Sequence, residues 1–358
     1  MVYKDYIERV VEMGSHLYGK EEGRAIAARL LQHFCGISSY EHLVEPYGAI
    51  APEHIGELES AAQQIAAARP LQYILGYQEF LGLKISVEEG VLIPRPETEE
   101  LVSWVLSQIT TRNSQLAGHP SHPATQEGQP AGLDSHPAGQ SRPAAGHDSQ
   151  PISLRILDAA SGSGCIAAAL KYNLPQAQIF ACDLSPKALE VTARNLSSLH
   201  NHSSALESSF EYERSSAPHH LSALEYSSTP EKLSAQNVFS YDLLKSPEGF
   251  PLNELDIIVS NPPYVKESER AQMRSNVLDY EPLEALFVPE EDPLLFYRAL
   301  ERLASAYLKP GGAIFMEVNE NLAVETAAIF EEAGYIAVEI KRDIFGKARM
   351  VTGRLLCN

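Results

Sequence analysis

Leu154-Arg155-Ile156-Leu157-Asp158, then Ala159-Ala160-Ser161-Gly162-Ser163-Gly164, then Cys165 to Tyr172, is the stretch that decides the fold. An apolar run closed by an acid reads as a buried strand, six small residues as a turn, and Cys165 onward as the start of a helix. The glycines at 162 and 164 let the backbone pass close beneath a ligand, and a helix amino terminus offers free N–H groups. The pattern repeats downstream. Ile179-Phe180-Ala181-Cys182-Asp183 is a second strand ending in an acid, and Val238-Phe239-Ser240-Tyr241-Asp242 a third. Strands alternating with helices predict an α/β domain built on a mostly parallel sheet. Acids closing Asp158, Asp183 and Asp242 onto one edge are better explained by a single site than by three solvated strand ends.

That site has a readable ligand. An acid some twenty residues after a glycine turn suits the two hydroxyls of a ribose. Asp242 is placed to meet an adenine amino group, with Leu243 supplying an apolar face to the ring. The turn lacks the last glycine of a dinucleotide fingerprint, since Cys165-Ile166-Ala167 comes after Gly164. Asp158 beside it is unhelpful for pyrophosphate. These features favour a nucleoside carrying a cationic sulfonium, S-adenosylmethionine, over a nicotinamide cofactor.

Ile257-Ile258-Val259-Ser260 reads as a further core strand, and it stops at Asn261-Pro262-Pro263-Tyr264. Two prolines cannot donate to a ladder and exclude a helix just before them. A carboxamide and an aromatic ring therefore stand at the carboxyl edge of the sheet. The chemistry this suits is alkylation of a planar, weakly nucleophilic nitrogen. The Asn261 amide oxygen and the Pro262 carbonyl each accept one N–H, stabilising positive charge as it develops on nitrogen. Tyr264 is expected to stack on the substrate plane and fix its approach.

Composition narrows the partners. In 358 residues, 28 Lys and Arg stand against 47 Asp and Glu, a formal net charge of −19. Such a chain is repelled by phosphate backbones unless it carries a basic stripe, and none is visible. A protein or small-molecule substrate is favoured over nucleic acid. Four scattered cysteines without a Cys-x-x-Cys pair fit a reduced, cytoplasmic protein. The amino terminus shows no signal pattern, and no apolar run approaches the roughly 20 residues of a membrane span. No metal site is expected. Eight of the 12 histidines fall in two biased stretches without a scaffold to hold tetrahedral ligands.

Those stretches, near 110–151 and 197–235, are rich in Ser, His, Pro and Gly or Glu, and are expected to be disordered insertions. Residues 1–75 carry helical periodicity and predict a bundle of four or five short helices. It serves as a packing cap, a docking surface for a partner, or both. Residues 76–93 read as a hairpin linker, with Glu88-Glu89-Gly90 as its turn. Pro94-Arg95-Pro96 is a fixed loop leading to Thr98, the expected cap of a helix from Glu99 to about Gln108. Residues 265–293 are loop or short helices covering the pocket. Tyr335–Ile340 and Met350–Leu356 are expected to close the sheet as an antiparallel pair.

Taken together, the motifs resemble the release-factor glutamine methyltransferases, the HemK/PrmC family. The segments that carry the resemblance are Arg69 to Gly76, Ile93-Pro94-Arg95-Pro96-Glu97-Thr98-Glu99, Asp158 to Ala167, Asp183-Leu184-Ser185, Asn261 to Tyr264, and Phe345-Gly346-Lys347-Ala348-Arg349. The resemblance implies a Rossmann-like, seven-stranded class I methyltransferase domain over 94–358 behind an N-terminal helical recognition domain. It implies methylation of the side-chain amide of the glutamine in the Gly-Gly-Gln loop of class I peptide chain release factors; a monomer is the expected state, though the sequence does not fix it. By motif position, Ala160, Ser161, Gly162, Ser163, Gly164 and Asp183 hold the cofactor, Leu243 lies beside its adenine, and Asn261, Pro262, Pro263 and Tyr264 hold the glutamine. Two departures stand out. Ala159-Ala160-Ser161 replaces a usual Gly-Thr turn, and Glu317-Val318-Asn319-Glu320 replaces a Glu-Ile-Gly segment expected to lie clear of the methyl-transfer residues. Three alternatives stay open: an adenine-amino methyltransferase, a ribosomal-protein glutamine methyltransferase, and a non-catalytic scaffold binding translation factors.

Overall fold

The computed structural model describes residues 1–38, 40–116, 153–213 and 237–357. Five helices come first: α1 (Tyr3–Met13), α2 (Lys20–Cys35), α3 (Glu41–Val44), α4 (Pro52–Ala66) and α5 (Leu71–Leu75). Apolar residues at three-to-four spacing meet in one core of Tyr6, Val10, Leu30, Leu31, Leu58 and Ile65, all inaccessible to solvent. Tyr6 resolves its buried hydroxyl by donating to the Leu58 carbonyl at 3.0 Å.

The linker hairpin is β1 (Tyr77–Phe80) and β2 (Leu83–Ser86), paired antiparallel with Phe80 opposite Leu83. Its turn is Leu81-Gly82 and not Glu88-Glu89-Gly90. A two-residue turn of this hand needs positive φ at both positions, and Leu81 and Gly82 have φ of 47° and 79°. Helix α6 then runs Pro96–Leu116, earlier and longer than Glu99–Gln108. Pro96 starts it because a first-turn residue needs no N–H partner. Near its far end Thr110 and Thr111 bond back to the Leu106 and Ser107 carbonyls.

The sheet is built from β3 (Arg155–Ala159), β4 (Gln178–Asp183), β5 (Val238–Ser240), β6 (Leu255–Ser260), β9 (Leu308–Glu317), β10 (Ile336–Arg342) and β11 (Ala348–Arg354). A two-stranded parallel pair, β7 (Val265–Lys266) and β8 (Phe287–Val288), lies outside it. The order is β10-β11-β9-β6-β3-β4-β5. β9, β6, β3, β4 and β5 are parallel neighbours, whereas β11 runs antiparallel to both β9 and β10. This is the expected seven-stranded α/β architecture, with the closing antiparallel pair in place.

Helices cover both faces: α6, α7 (Cys165–Asn173) and α8 (Pro186–Glu213) on one, α10 (Leu295–Tyr307) and α11 (Ala323–Glu332) on the other. The short α9 (Ser275–Leu278) lies between β7 and β8 in sequence. Strand alternation divides the core cleanly. Ile156 and Ile257 pack with Leu101 and Val105 of α6, while Leu157 and Ile258 pack with Leu300 and Leu303 of α10.

The expected insertions fall mostly outside the described residues. Where described, they are helical: α6 continues to Leu116 and α8 to Glu213. Extending an existing helix costs far less than nucleating one, so a polar composition does not stop it. In α8, Ser197 and Ser198 bond back to the Ala193 and Asn195 carbonyls. No helix of the described residues is long and apolar enough to cross a membrane, and among them no cluster of His, Cys, Asp or Glu could hold a metal.

Candidate active site

The strand register puts the chemistry on one edge. Ala159 is level with Cys182 and Ser260, and Ser260 with Met316, so Ala160, Asp183, Asn261 and Glu317 all emerge at the carboxyl end. A cavity of about 340 Å³ opens there. Of the residues expected from sequence, Ala160, Gly162, Asp183, Asp242, Leu243, Asn261 and Pro263 line it. Val91 and Leu92 of the linker, Pro282 and Ala285 of the loop after β7, and Phe296 are among the other residues that line it.

Ser161, Ser163 and Gly164 shape the turn and do not line the cavity. Ser161 is buried with its hydroxyl 3.2 Å from Thr192 Oγ1, and the Ser163 carbonyl accepts from Asn195 Nδ2 at 2.9 Å. Gly164 has φ of 74°, and a Cβ there would stand 3.0 Å from the Thr192 Cα. Asn195 also binds Ser86 through both backbone groups, tying β2 to the glycine turn. Ala160 has φ of 59°, a left-handed conformation that glycine adopts freely. The Ala160 departure thus falls where the turn is strained.

Asp183 is organised by backbone. Its Oδ2 accepts the Gly162 N–H at 2.8 Å and its Oδ1 the Ser185 N–H at 2.9 Å. Burial raises its pKa, while these N–H groups pull it back. The Leu184 N–H acts in the same direction, and the remaining acceptor capacity is open to a ligand. A Cβ built on Gly162 meets nothing within 4 Å, so the space above the turn is open. A spare-acceptor carboxylate, an open glycine turn and an apolar wall of Leu243 and Phe296 fit an adenosyl group with a cationic tail. Asp242 is held by the Leu244 N–H at 3.0 Å on Oδ1.

Asp158 does not belong with these acids. It is fully buried under the turn, where Oδ2 accepts the Ala167 N–H at 3.0 Å and Oδ1 has no partner. Burial raises its pKa to about 7.

Behind Asn261 lies a buried polar chain. Asn261 Nδ2 donates to Thr98 Oγ1 at 3.1 Å, Thr98 Oγ1 donates to Glu317 Oε2 at 2.7 Å, and Tyr264 Oη donates to Glu317 Oε1 at 2.8 Å. Thr98 and Glu317 are buried. Burial raises the Glu317 pKa, opposed by the two hydroxyl donors and by the charge of Arg349. Burial and Glu317 together push Tyr264 well above the usual phenol range. The Glu317 segment therefore touches Tyr264 directly and reaches Asn261 through Thr98, contrary to expectation. Thr98 is a member of this chain and makes no side-chain cap. Sequence periodicity could not find it, because the contact joins residues 98, 261 and 317 across three elements. Pro262, which is buried, and Tyr264 do not line the cavity, and the Tyr264 segment is clamped where Val265 N donates to the Leu286 carbonyl at 2.8 Å.

The covering loop is locked by Glu281. This buried carboxylate takes the Ile93 N–H at 3.0 Å and Arg95 at 2.6 Å. Tyr280 Oη donates to the Ala67 carbonyl at 2.6 Å, and Arg274 pairs with Glu22 at 2.8 Å, joining the loop to the helical bundle.

Comparison with known proteins agrees with this geometry. Residues 15–76 match the model for the PrmC N-terminal domain. A release factor glutamine methyltransferase from Bacteroides thetaiotaomicron is 32% identical, covering 94% of this chain and 94% of that one. One from Flavobacterium psychrophilum is 30% identical over 98% of each chain. Another, from Clostridium acetobutylicum, is 30% identical over 79% of this chain and 74% of its own. With identity at this level running from the helical bundle through the glycine turn to the last strand, the chain belongs to the release factor glutamine methyltransferase family.

Proposed function

We propose that this chain transfers a methyl group from S-adenosylmethionine to the side-chain amide nitrogen of the glutamine in the Gly-Gly-Gln loop of class I peptide chain release factors. The observation that carries the proposal is the placement of Asn261. Its NH2 is tied back to Thr98, its carboxamide lines the cavity, and that cavity is shared with Gly162 and Asp183.

Within this reading Asp183 takes the ribose hydroxyls, Asp242 the adenine amino group, and Leu243 and Phe296 the ring faces. Ala160 and Gly162 give backbone room for the methionine portion. The donor supplies an electrophilic methyl on a sulfonium. Asn261 Oδ1 and the Pro262 carbonyl accept the two N–H groups of the substrate amide, and neither accepts a hydrogen bond from the described residues. That pairing holds the nitrogen lone pair towards the methyl and stabilises positive charge as the N–C bond forms. The C–S electron pair leaves with sulfur. The alkylated nitrogen is acidic enough to release its proton to water, so no general base is required. Tyr264, outside the cavity with its hydroxyl held by Glu317, supports the Asn261 segment from behind and does not stack on the substrate. The acidic chain acts on its protein substrate as a cytoplasmic monomer and needs no nucleic acid.

Mass spectrometry of a purified, unmethylated release factor after incubation with enzyme and S-adenosylmethionine tests this. The expected product gains one methyl on the Gly-Gly-Gln glutamine. No gain there, or methylation of a ribosomal protein or of adenine in its place, overturns the proposal.

A further inference from the structure

The polarity of the chain behind Asn261 has a chemical consequence that does not depend on telling the amide oxygen from its nitrogen. Against the burial that raises its pKa, Glu317 has two hydroxyl donors and the charge of Arg349 to favour its ionised form, and an ionised carboxylate only accepts hydrogen bonds. Thr98 and Tyr264, each within 2.8 Å of Glu317, must therefore both spend their single hydroxyl hydrogen on it. Thr98 Oγ1 then has only lone pairs left for Asn261, 3.1 Å away. With Glu317 ionised, the Asn261 group facing Thr98 is the NH2 and the oxygen faces the cavity.

We propose that Glu317 and Thr98 are positioning residues that fix the orientation of the Asn261 carboxamide, and so require the substrate group to be a hydrogen-bond donor. A glutamine amide meets that requirement. A glutamate carboxylate of the same shape presents an acceptor to an acceptor and is rejected. The inference rests on Asn261 being the substrate-amide acceptor. It adds that the selection is imposed from Glu317, which does not line the cavity.

Glu317→Gln inverts the relay. A glutamine there keeps both neighbouring hydroxyls paired in one way: Oε1 still accepts from Tyr264, and Nε2 donates one hydrogen to Thr98. The Thr98 hydroxyl must then turn to Asn261 and donate, which requires the amide oxygen to face it. The opposite placement, Nε2 towards Tyr264, strands the phenolic hydrogen without an acceptor among the described residues. The inverted arrangement shows NH2 to the cavity.

The test measures kcat and KM for an unmethylated release factor, S-adenosylmethionine affinity by calorimetry, and inhibition by a release factor whose target glutamine is replaced by glutamate. Glu317→Gln is expected to lose on the order of 10²-fold in kcat, the loss expected from misplacing a reacting group, with unchanged donor affinity. Inhibition by the glutamate-bearing factor should strengthen about tenfold relative to wild type, as one hydrogen bond to a charged group is gained. Thr98→Val should lose kcat similarly, and Thr98→Ser, which restores the hydroxyl, should regain it. This pair carries the test if Glu317→Gln does not fold. Undiminished kcat in Glu317→Gln, unchanged inhibition by the glutamate-bearing factor, or no rescue by Thr98→Ser overturns the inference. A wild-type enzyme that leaves the release factor unmodified overturns the functional reading instead.

Discussion

Replacing Asp183 by Asn changes one oxygen for an NH2 and removes a charge, and the structure fixes what that must do. The carboxylate has about four acceptor positions, of which Gly162 and Ser185 take two. The Leu184 N–H also acts on it, and the acceptor capacity left over serves the ribose hydroxyls. In Asp183→Asn the single oxygen satisfies either Gly162 or Ser185, and the new NH2 faces the other N–H. At least one ribose bond is lost outright and the second becomes a neutral bond. Hydrogen bonds to charged groups contribute about 1.5–3 kcal/mol each, so the loss is about 2–4 kcal/mol. That is a roughly 30- to 1000-fold rise in donor Kd, since each 1.4 kcal/mol is about a factor of ten. Isothermal titration of the folded variant with S-adenosylmethionine measures it directly, with circular dichroism to verify the fold. An unchanged Kd in a folded Asp183→Asn enzyme would refute the assignment of this carboxylate to the nucleoside.

Three further outcomes are set by local geometry. Ala160→Gly should stabilise the protein by about 0.5–1 kcal/mol in urea unfolding. It relieves about 1–2 kcal/mol of left-handed strain, partly offset by glycine's larger unfolded-state entropy; a lower midpoint would show that Ala160 is not strained. Glu281→Ala leaves the Arg95 guanidinium and the Ile93 N–H without their shared acceptor. Thermal unfolding should report a loss of about 2–4 kcal/mol, and the donor KM should rise because Leu92 and Pro282 are neighbours of this lock; an unaltered Tm and KM would contradict it. Asp158, with a folded pKa of about 7 against 3.8, binds its proton more tightly folded than unfolded. Its contribution is therefore full at acid pH and lost as pH rises from about 4 to 7, on the order of 4 kcal/mol at most. Asp158→Asn should flatten that decline relative to wild type, and parallel stability–pH curves would count against it.

Much of this is legible in the chain because it is local. Strand, glycine turn and helix are consecutive in sequence, and the acid at 183 and the amide at 261 close their own strands. Their convergence needs only the parallel order of the sheet. The hidden part depends on contacts far apart in sequence. Thr98 reads as a helix cap until β9 brings Glu317 beneath it, and Asp158 reads as a ligand acid until its burial is known. Sequence alone misplaces the hairpin turn because Glu88-Glu89-Gly90 looks more turn-like than Leu81-Gly82. Only the pairing of Phe80 with Leu83 shows which turn the strands use. It also misses the two helix extensions, because composition signals entropy cost but not how far an established helix propagates.

The central claim is that Asn261 holds a glutamine amide for methylation. The most direct measurement is tandem mass spectrometry of the Gly-Gly-Gln peptide from a release factor treated with wild-type enzyme or with Asn261→Ala, both first shown to bind S-adenosylmethionine equally. The account predicts a methyl on the glutamine side chain with wild type, and a rate lowered about 10²-fold or more in the variant, the scale of losing one preorganised partner of the developing charge. Equal methylation by both enzymes, or a methyl found on any other residue, would contradict it.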